Sequence, residues 1–471
     1  MRDLTRKTLK HARIPCLALA TVGLMYLAWM GLDGSMVRYE KQRLPQLTAD
    51  ALGSRILVVS PHPDDETLGN AGLIAQSLRQ GKRVMVVLVT SGDGFPRIAP
   101  RARADGGGPP PFIRLGETRT GESRAALSSL GLAAADLVFL GYPDGTMASL
   151  WDGPWDPARP SRGVNGRTAV PYSFALSPGA PYAGSSVTSD LASVMASFAP
   201  SAVIYPDAED ANADHLAISA FTEYVLNASG FGGGRYTYVV HRGHFPFPWS
   251  YLPEGWLDPP KSLRSLGQVW LSYRLEPDVE VAKERALGCY ASQRRAMEPF
   301  LGAFVRRNEL FGSLPVPRPA RVETASALDA TMTPGVVIRD SVGDTVMRLL
   351  SGEADLRRLA MADAGDGIWL GLETRTPPTP AVTYRVHAFV FGDKGISRLE
   401  LTVRGARGAL ETSARGSVTT SPAEVRVRAG RVWALVPSSR FAGARRCMIE
   451  AEASLGTSMI DRTAWRTVAL P

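Results

Sequence analysis

The sequence predicts an α/β fold: a mostly parallel sheet with helices on both faces, joined to a C-terminal antiparallel β-sandwich domain and preceded by an N-terminal transmembrane helix. Three observations carry this expectation. Between residues 55 and 312, short continuous apolar runs alternate with helical patterns, as for strands buried on both faces. From residue 322 to 471 the pattern changes to alternating segments such as TYRVHAFVF, RLELTVR, EVRVRA and RVWALV, separated by Gly and Pro turns. Near the start, residues 14–32 (IPCLALATVGLMYLAWMGL) carry no charge, and as a helix they would span about 28 Å.

In chain order, strands are expected at residues 55–60 (RILVVS), 83–90 (RVMVVLVT), 137–140 (LVFL), 202–205 (AVIY) and 236–240 (YTYVV). Helices are expected at 66–80, closed by Gly81, and at 116–130, 190–198, 214–226 and 279–311, the last kinked at Pro299. Residues 92–114 and 152–186, rich in Gly and Pro, read as loops of a length that builds a substrate cleft or lid. In residues 313–321 (SLPVPRPAR), prolines at every second position stop the preceding helix and form a stiff linker between a first domain, 55–312, and a second, 322–471. Trp369, Tyr384, Trp433 and Trp465 are assigned to packing of the sandwich, the commoner use of such rings than stacking on sugars.

Composition narrows the classes. With 45% hydrophobic and 21% charged residues, the chain is neither disordered nor collagenous. The net charge is +8, but half of it lies in the first thirteen residues, and no basic stripe with interleaved aromatics follows, so nucleic acid is excluded as a partner. Three cysteines set no disulfide framework. The basic residues Arg2, Arg6, Lys7, Lys10 and Arg13 precede the apolar run and Asp33 follows it. By the positive-inside rule, residues 1–34 are then a cytoplasmic tip and membrane anchor, 35–54 a linker, and the catalytic domain extracytoplasmic, periplasmic or at the cell surface. A cleaved signal peptide competes, but its apolar core is shorter and AWMGLDGS is a poor cleavage site.

The chemistry concentrates in two strand-to-helix turns. Residues 60–66 (SPHPDDE) follow the first strand, where ligands of open α/β sheets bind. Two adjacent carboxylates, Asp64 and Asp65, beside the His62 imidazole repel one another unless a positive charge is held among them, and a divalent cation supplies one. An imidazole and a carboxylate three residues apart, across a proline-rigid turn, can converge on one ion while the other carboxylate faces its water. Residues 206–215 (PDAEDANADH) follow AVIY and also open a helix. They offer His215 as a further ligand, with acids such as Asp210 and Asp214 beside it as partners that fix its tautomer. Two of six histidines at equivalent, acid-flanked turns point to one shared ion.

The segment SPHPDDETLGNAGLIA, with RTGE at 119–122, GYPDG at 141–145, ADH at 213–215 and ASQ at 291–293, resembles the zinc-dependent N-acetylglucosaminyl deacetylases, the PIG-L or LmbE-like family, over residues 55–312. The resemblance implies a Rossmann-like fold, metal ligation by His62, Asp65 and His215, and Asp64 as general base. It implies hydrolysis of the acetamide of an N-acetylhexosamine by metal-activated water, and the expected anchor places that unit in a cell-surface glycan or glycolipid. One position departs from it: Asn212 stands where relatives often carry a histidine, so an amide takes over any contact to the oxyanion there, or His241 or His244 replaces the imidazole. Zinc suits two imidazoles and a carboxylate, although iron(II) or another divalent metal fits the same donors.

Weaker candidates complete the site. The resemblance makes Arg119 sugar-facing, with Glu122 as a substrate-binding candidate beside it, against a plain ion pair between these two residues three apart. Asp144, in the GYPDG turn, is a turn-former or an acceptor for sugar hydroxyls. Gln293 is a candidate substrate contact on a helix that otherwise packs. Two rival functions remain at this point: a glycan-binding protein of the same fold with reduced turnover, and an amide hydrolase of a small N-acetylated metabolite.

Overall fold

The computed structural model describes residues 44–95, 111–153, 155–323, 328, 332–341, 351–414, 416–428 and 430–471. Its first sheet contains β1 (Arg55–Ser60), β2 (Arg83–Thr90), β3 (Leu137–Tyr142), β4 (Ala202–Pro206), β5 (Gly234–Tyr238), β6 (Val269–Arg274) and β7 (Asn308–Ser313), in the order β3-β2-β1-β4-β5-β7-β6. The first five are parallel, and β7 runs antiparallel to both of its neighbours, β5 and β6. The chain runs outward from β1 to β3 on one side and from β4 to β5 on the other, the doubly wound Rossmann-like order. Its switch point, the place such sheets use for ligands, lies between β1 and β4.

The apolar runs explain the layers. Along β1, Ile56 and Val58 enter a core with Leu68, Ala71 and Ile74 of the Asp65–Arg79 helix and Val279 of the Pro277–Leu287 helix. Leu57 and Val59 point the other way, toward Leu150, Leu191 and Phe221 of the helices Met147–Asp152, Gly184–Phe198 and Ala213–Ala228. With both faces of the central strands covered by apolar side chains, polar groups cluster at the strand ends, and the carboxyl edge becomes the site.

The five strands expected on the parallel side are present, with β5 two residues earlier than YTYVV suggests. The single helix expected over 279–311 is instead two, Pro277–Leu287 and Ala291–Gly302, followed by β7. The turn at Gly288–Tyr290 ends the first, and the buried polar residues of NELFGS mask the strand pattern. β6 carries no strand signal either, because VWLSYR sits at the sheet edge and lacks a continuous apolar run. The linker's end, Ala320–Arg321, is a short strand of the second domain.

That domain pairs a six-stranded with a seven-stranded sheet, antiparallel apart from the short parallel pairing of Ala320–Arg321. Leu359, Leu370, Val386 and Ile449 fill the space between them. Trp369, Tyr384 and Trp433 are fully buried, as their assignment to packing required. Outward-facing Phe389 and Met448 pack into the α/β core beside Trp151 and Phe221.

The expected transmembrane helix, 14–32, lies outside the described residues. Among the described residues no helix is long and apolar enough to cross a membrane. The longest, Pro111–Ser129, carries Arg114, Glu117, Arg119, Glu122 and Arg124. The fold class is corrected accordingly: the described architecture is an α/β domain and a sandwich. The membrane partner, the cytoplasmic N-terminus and the periplasmic or cell-surface placement inferred from that helix lose their support.

The helix that follows the first turn is held by a buried ion pair inserted into its backbone. Lys283 Nζ lies 2.7 Å from Glu309 Oε1 and donates to Leu68 O at 2.7 Å, while Glu309 accepts from Gly72 N and Leu73 N at 2.7 and 2.8 Å. Both side chains are fully buried, and burial pulls the Lys283 pKa down. Lys283→Met therefore leaves an uncompensated carboxylate and is expected to cost about 3–5 kcal/mol. Urea unfolding checks this as a lower midpoint at unchanged slope.

Candidate metal centre

The first turn is pinned from three sides. Thr90 at the end of β2 donates through N and Oγ1 to Pro61 O, at 3.0 and 2.9 Å. Arg119 donates to Pro63 O at 2.7 Å and Gly92 O at 2.9 Å. Asp64 has φ +120°, a region that a non-glycine residue enters at a cost on the order of 1–3 kcal/mol and keeps only when its surroundings impose it. Glu66 imposes it: its Oε2 accepts from Asp64 N at 3.1 Å, and its Oε1 accepts from the Tyr290 hydroxyl at 2.6 Å. The Glu of PHPDDE thus shapes the turn from behind, a role the motif did not disclose.

The second turn is built on Asp207 and Asp210. Asp207 N donates to Tyr238 O at 2.8 Å and its Oδ2 accepts from Thr237 Oγ1 at 2.6 Å, tying the turn to β5. Asp210 Oδ2 accepts from Val240 N and His241 N at 3.0 and 2.9 Å. Asn212 caps the Ala213–Ala228 helix, its Oδ1 accepting from Asp214 N at 2.9 Å. His215 then lies one turn in, fully buried.

These turns bring together three donor atoms. Asp65 Oδ2 is 3.0 Å from His62 Nδ1 and 3.0 Å from His215 Nε2, and the two nitrogens are 3.3 Å apart. Donors about 2.0–2.1 Å from a tetrahedral zinc stand about 3.3 Å from each other, so the triangle has the size of a coordination face. A second grouping, His62, Asp144 and Asp214, is also close enough for an ion. Its Asp214, however, already accepts from Gly145 N and Met147 N, at 2.5 and 2.9 Å. In the first grouping each imidazole has a carboxylate behind it: Asp210 Oδ2 is 3.2 Å from His215 Nδ1, and Asp214 and Asp144 are each 3.3 Å from His62 Nε2. That backing is usual for metal-binding histidines. The donor set of His62, Asp65 and His215 fits a divalent metal, and the second grouping fits less well.

The electrostatics point the same way. Burial, the largest influence on His215, works against its charged form, yet the Asp210 and Asp65 carboxylates outweigh it and hold the pKa at about 9. His62 is likewise raised, burial being overcome by Asp144, Asp214 and Asp65. Asp65 is held well below its ordinary value by the two imidazoles, against burial. Asp64 is raised by burial despite Arg119, whose Nη2 is 3.5 Å from Asp64 Oδ2.

The remaining candidates divide. Arg119 and Asp144 join the cluster, Arg119 Nη1 lying 3.7 Å from Asp144 Oδ2. Asp214 stands nearer the centre than a residue flanking His215 alone, since it faces His62. Glu122 is not brought to the site: its carboxylate accepts from Ser292 N and Oγ at 2.8 and 2.6 Å and locks two helices together. Gln293 is fully buried beside that lock. His241, from the loop after β5, packs edge-on against His215 and stacks on Phe300, with Nε2 3.9 Å from Asp65 Oδ1, whereas His244 packs by Trp249.

Residues 57–226 match the family described as GlcNAc-PI de-N-acetylase, PIG-L. The chain carries a PIG-L domain. It is 36% identical over 95 residues to a 1D-myo-inositol 2-acetamido-2-deoxy-alpha-D-glucopyranoside deacetylase of Geodermatophilus obscurus, covering 19% of this chain and 29% of that protein. A protein of the same name from Kineococcus radiotolerans is 38% identical over 93 residues, or 20% of this chain and 24% of the relative. The chain thus spans less than a third of the length of these relatives. Among solved structures, the A40926 pseudoaglycone deacetylase Dbv21 aligns at 19% identity and TM-score 0.38, covering 55% of this chain and 96% of the other. The N,N'-diacetylchitobiose deacetylase of Pyrococcus horikoshii aligns at 16% identity and TM-score 0.35, covering 61% and 91%.

One residue of the PIG-L domain's carboxyl edge escaped the sequence reading. Asp93, after β2, accepts from Asp144 N at 3.1 Å, Asn165 Nδ2 at 2.7 Å and Tyr172 Oη at 2.9 Å, and so fixes the Asp144 turn. Its place at a third strand end, in SGDG, was the available signal. Burial pushes its pKa up to about 6, against the Asn165 hydrogen bond and with help from Asp144. Raised in the native state, it binds more protons there than when unfolded, so its stabilising share is complete below about pH 4 and lost as the pH rises through about 6. Denaturation midpoints from about pH 4 to 7 are expected to show a shallower pH dependence for Asp93→Asn than for the wild type in that window.

Proposed function

We propose that the chain is a divalent-metal-dependent N-deacetylase that hydrolyses the acetamide of an N-acetylated hexosamine to acetate and a free amine. The observation that carries this is the buried triangle of His62 Nδ1, Asp65 Oδ2 and His215 Nε2, with the strained Asp64 beside it. The PIG-L match over residues 57–226 supports it. Zinc is the metal that two imidazoles and one carboxylate suit best.

When bound, the cation supplies Lewis acidity, making water nucleophilic near neutral pH and polarising the acetamide carbonyl. The chain does the rest. Asp64 takes the proton of the attacking water and returns it to the leaving nitrogen, with Arg119 holding its carboxylate in place. Asn212, its Oδ1 engaged by Asp214 N, offers its amide nitrogen to the charge developing on the carbonyl oxygen, a contact typically worth about 10²–10³ in rate. Asp144, just after β3, and Arg119, from the Pro111–Ser129 helix, orient the sugar. Glu122, engaged by Ser292, is left out of this role.

The relatives' names describe a 2-acetamido-2-deoxy-glucopyranoside of myo-inositol, which favours a small N-acetylated sugar conjugate over a polymer as the substrate of this chain. Acetate release from N-acetylglucosamine conjugates tests the proposal. Chelator treatment is expected to abolish release and zinc to restore it. Asp64→Asn is expected to lower kcat about 10²–10⁴-fold while metal binding persists. Undiminished release after chelation, or in Asp64→Asn, contradicts the mechanism, and sugar binding without release by the wild type leaves a binding protein instead.

A further inference from the structure

The sandwich reaches into the second turn of the site. The strand Arg466–Ala469 pairs with the strand Ala444–Leu455, placing Arg466 opposite Ile449. From there Arg466 Nη2 reaches Glu209 Oε1 at 2.8 Å, a contact between residues 257 apart in sequence with both side chains more than nine-tenths buried. Glu209 belongs to the turn that carries Asp210: its N donates to Asp207 Oδ1 at 2.9 Å, and Asp210 N donates to Asp207 O at 3.1 Å. Asp210 Oδ2 in turn lies 3.2 Å from His215 Nδ1.

We propose that Arg466 is a positioning residue for the metal centre, holding Glu209 and its turn so that Asp210 fixes the ring of His215. The inference rests on the metal-site reading above. A buried ion pair is a poor adhesive, because desolvation offsets most of its Coulomb attraction, but it is directional. Adhesion between the domains is already supplied elsewhere, by Phe389 and Met448 in the apolar core and by the outlying Arg462–Asp152 pair at 2.8 Å. The next residue, Thr467, bonds Glu223 Oε2 and Asn227 Nδ2 at 2.7 Å, two to three turns along the helix from His215, and so binds the same helix without touching the turn.

Zinc affinity of the full chain, measured by competition with a chromogenic chelator alongside thermal unfolding, tests this. Arg466→Met and Glu209→Gln are each expected to weaken zinc binding about tenfold, the lower end of the effect of losing a partner behind a metal-bound histidine. The double variant, which leaves no lone buried charge and keeps the fold, is expected to weaken it no further than either single change. Thr467→Val is expected to lower Tm with zinc affinity unchanged. Zinc affinity within twofold of wild type in the Arg466 and Glu209 variants, whatever their Tm, overturns the inference while leaving the metal centre standing. No saturable zinc binding by the wild type overturns both.

Discussion

Negative charge crowded at the carboxyl edge of a sheet is the constraint around which this molecule is organised. Asp64, Asp65, Asp144, Asp210 and Asp214 are nearly or fully buried within reach of two imidazoles, and Arg119 is the permanent cation among them. Two carboxylates about 4 Å apart repel by about 4 kcal/mol at an effective dielectric of 20. Without a cation, that repulsion is relieved by protonating the imidazoles, which is the direction in which His62 and His215 are driven. A divalent ion does the same by accepting the lone pairs that those protons would take, and the spacing of the donors is that of its ligands.

The fold makes such crowding tolerable. Strands β1 to β4 are covered on both faces by apolar side chains, so the catalytic acids gather in the strand-end turns, and each turn is fixed by partners outside it. Glu66 and Tyr290 hold Asp64 in its strained conformation, Asp93 holds the Asp144 turn, and Asp207 ties the second turn to β5. The reactive carboxylates are therefore oriented by other carboxylates, themselves hydrogen-bonded. The sandwich takes part in this arrangement and is not merely appended to it.

Much of this was legible because it is local. Apolar runs placed β1 and β2 to the residue, and PHPDDE and the acid-flanked His215 announced themselves by type and by position after a strand. What escaped depends on distant partners. NELFGS forms β7 although it is polar, because Asn308 and Glu309 meet Leu257 and the Asp65–Arg79 helix from elsewhere in the chain. Glu122 reads as a sugar contact at three residues from Arg119, yet Ser292, 170 positions away, claims it. Glu66 carries the motif's last letter but works on the turn from behind, and no spacing rule distinguishes that from ligation. The apolar run at 14–32 is a local signal of another kind, and among the described helices nothing sustains the membrane topology drawn from it.

The central claim is that one cation is gripped by His62, Asp65 and His215. X-ray absorption at the zinc edge of the reconstituted full chain addresses it most directly. The account predicts one ion with two imidazole nitrogens at about 2.0–2.1 Å and a carboxylate oxygen at about 2.0–2.2 Å, a spectrum that Asp144→Asn leaves unchanged. A single imidazole with two carboxylates, altered by Asp144→Asn, or a chain that retains no metal, would contradict it.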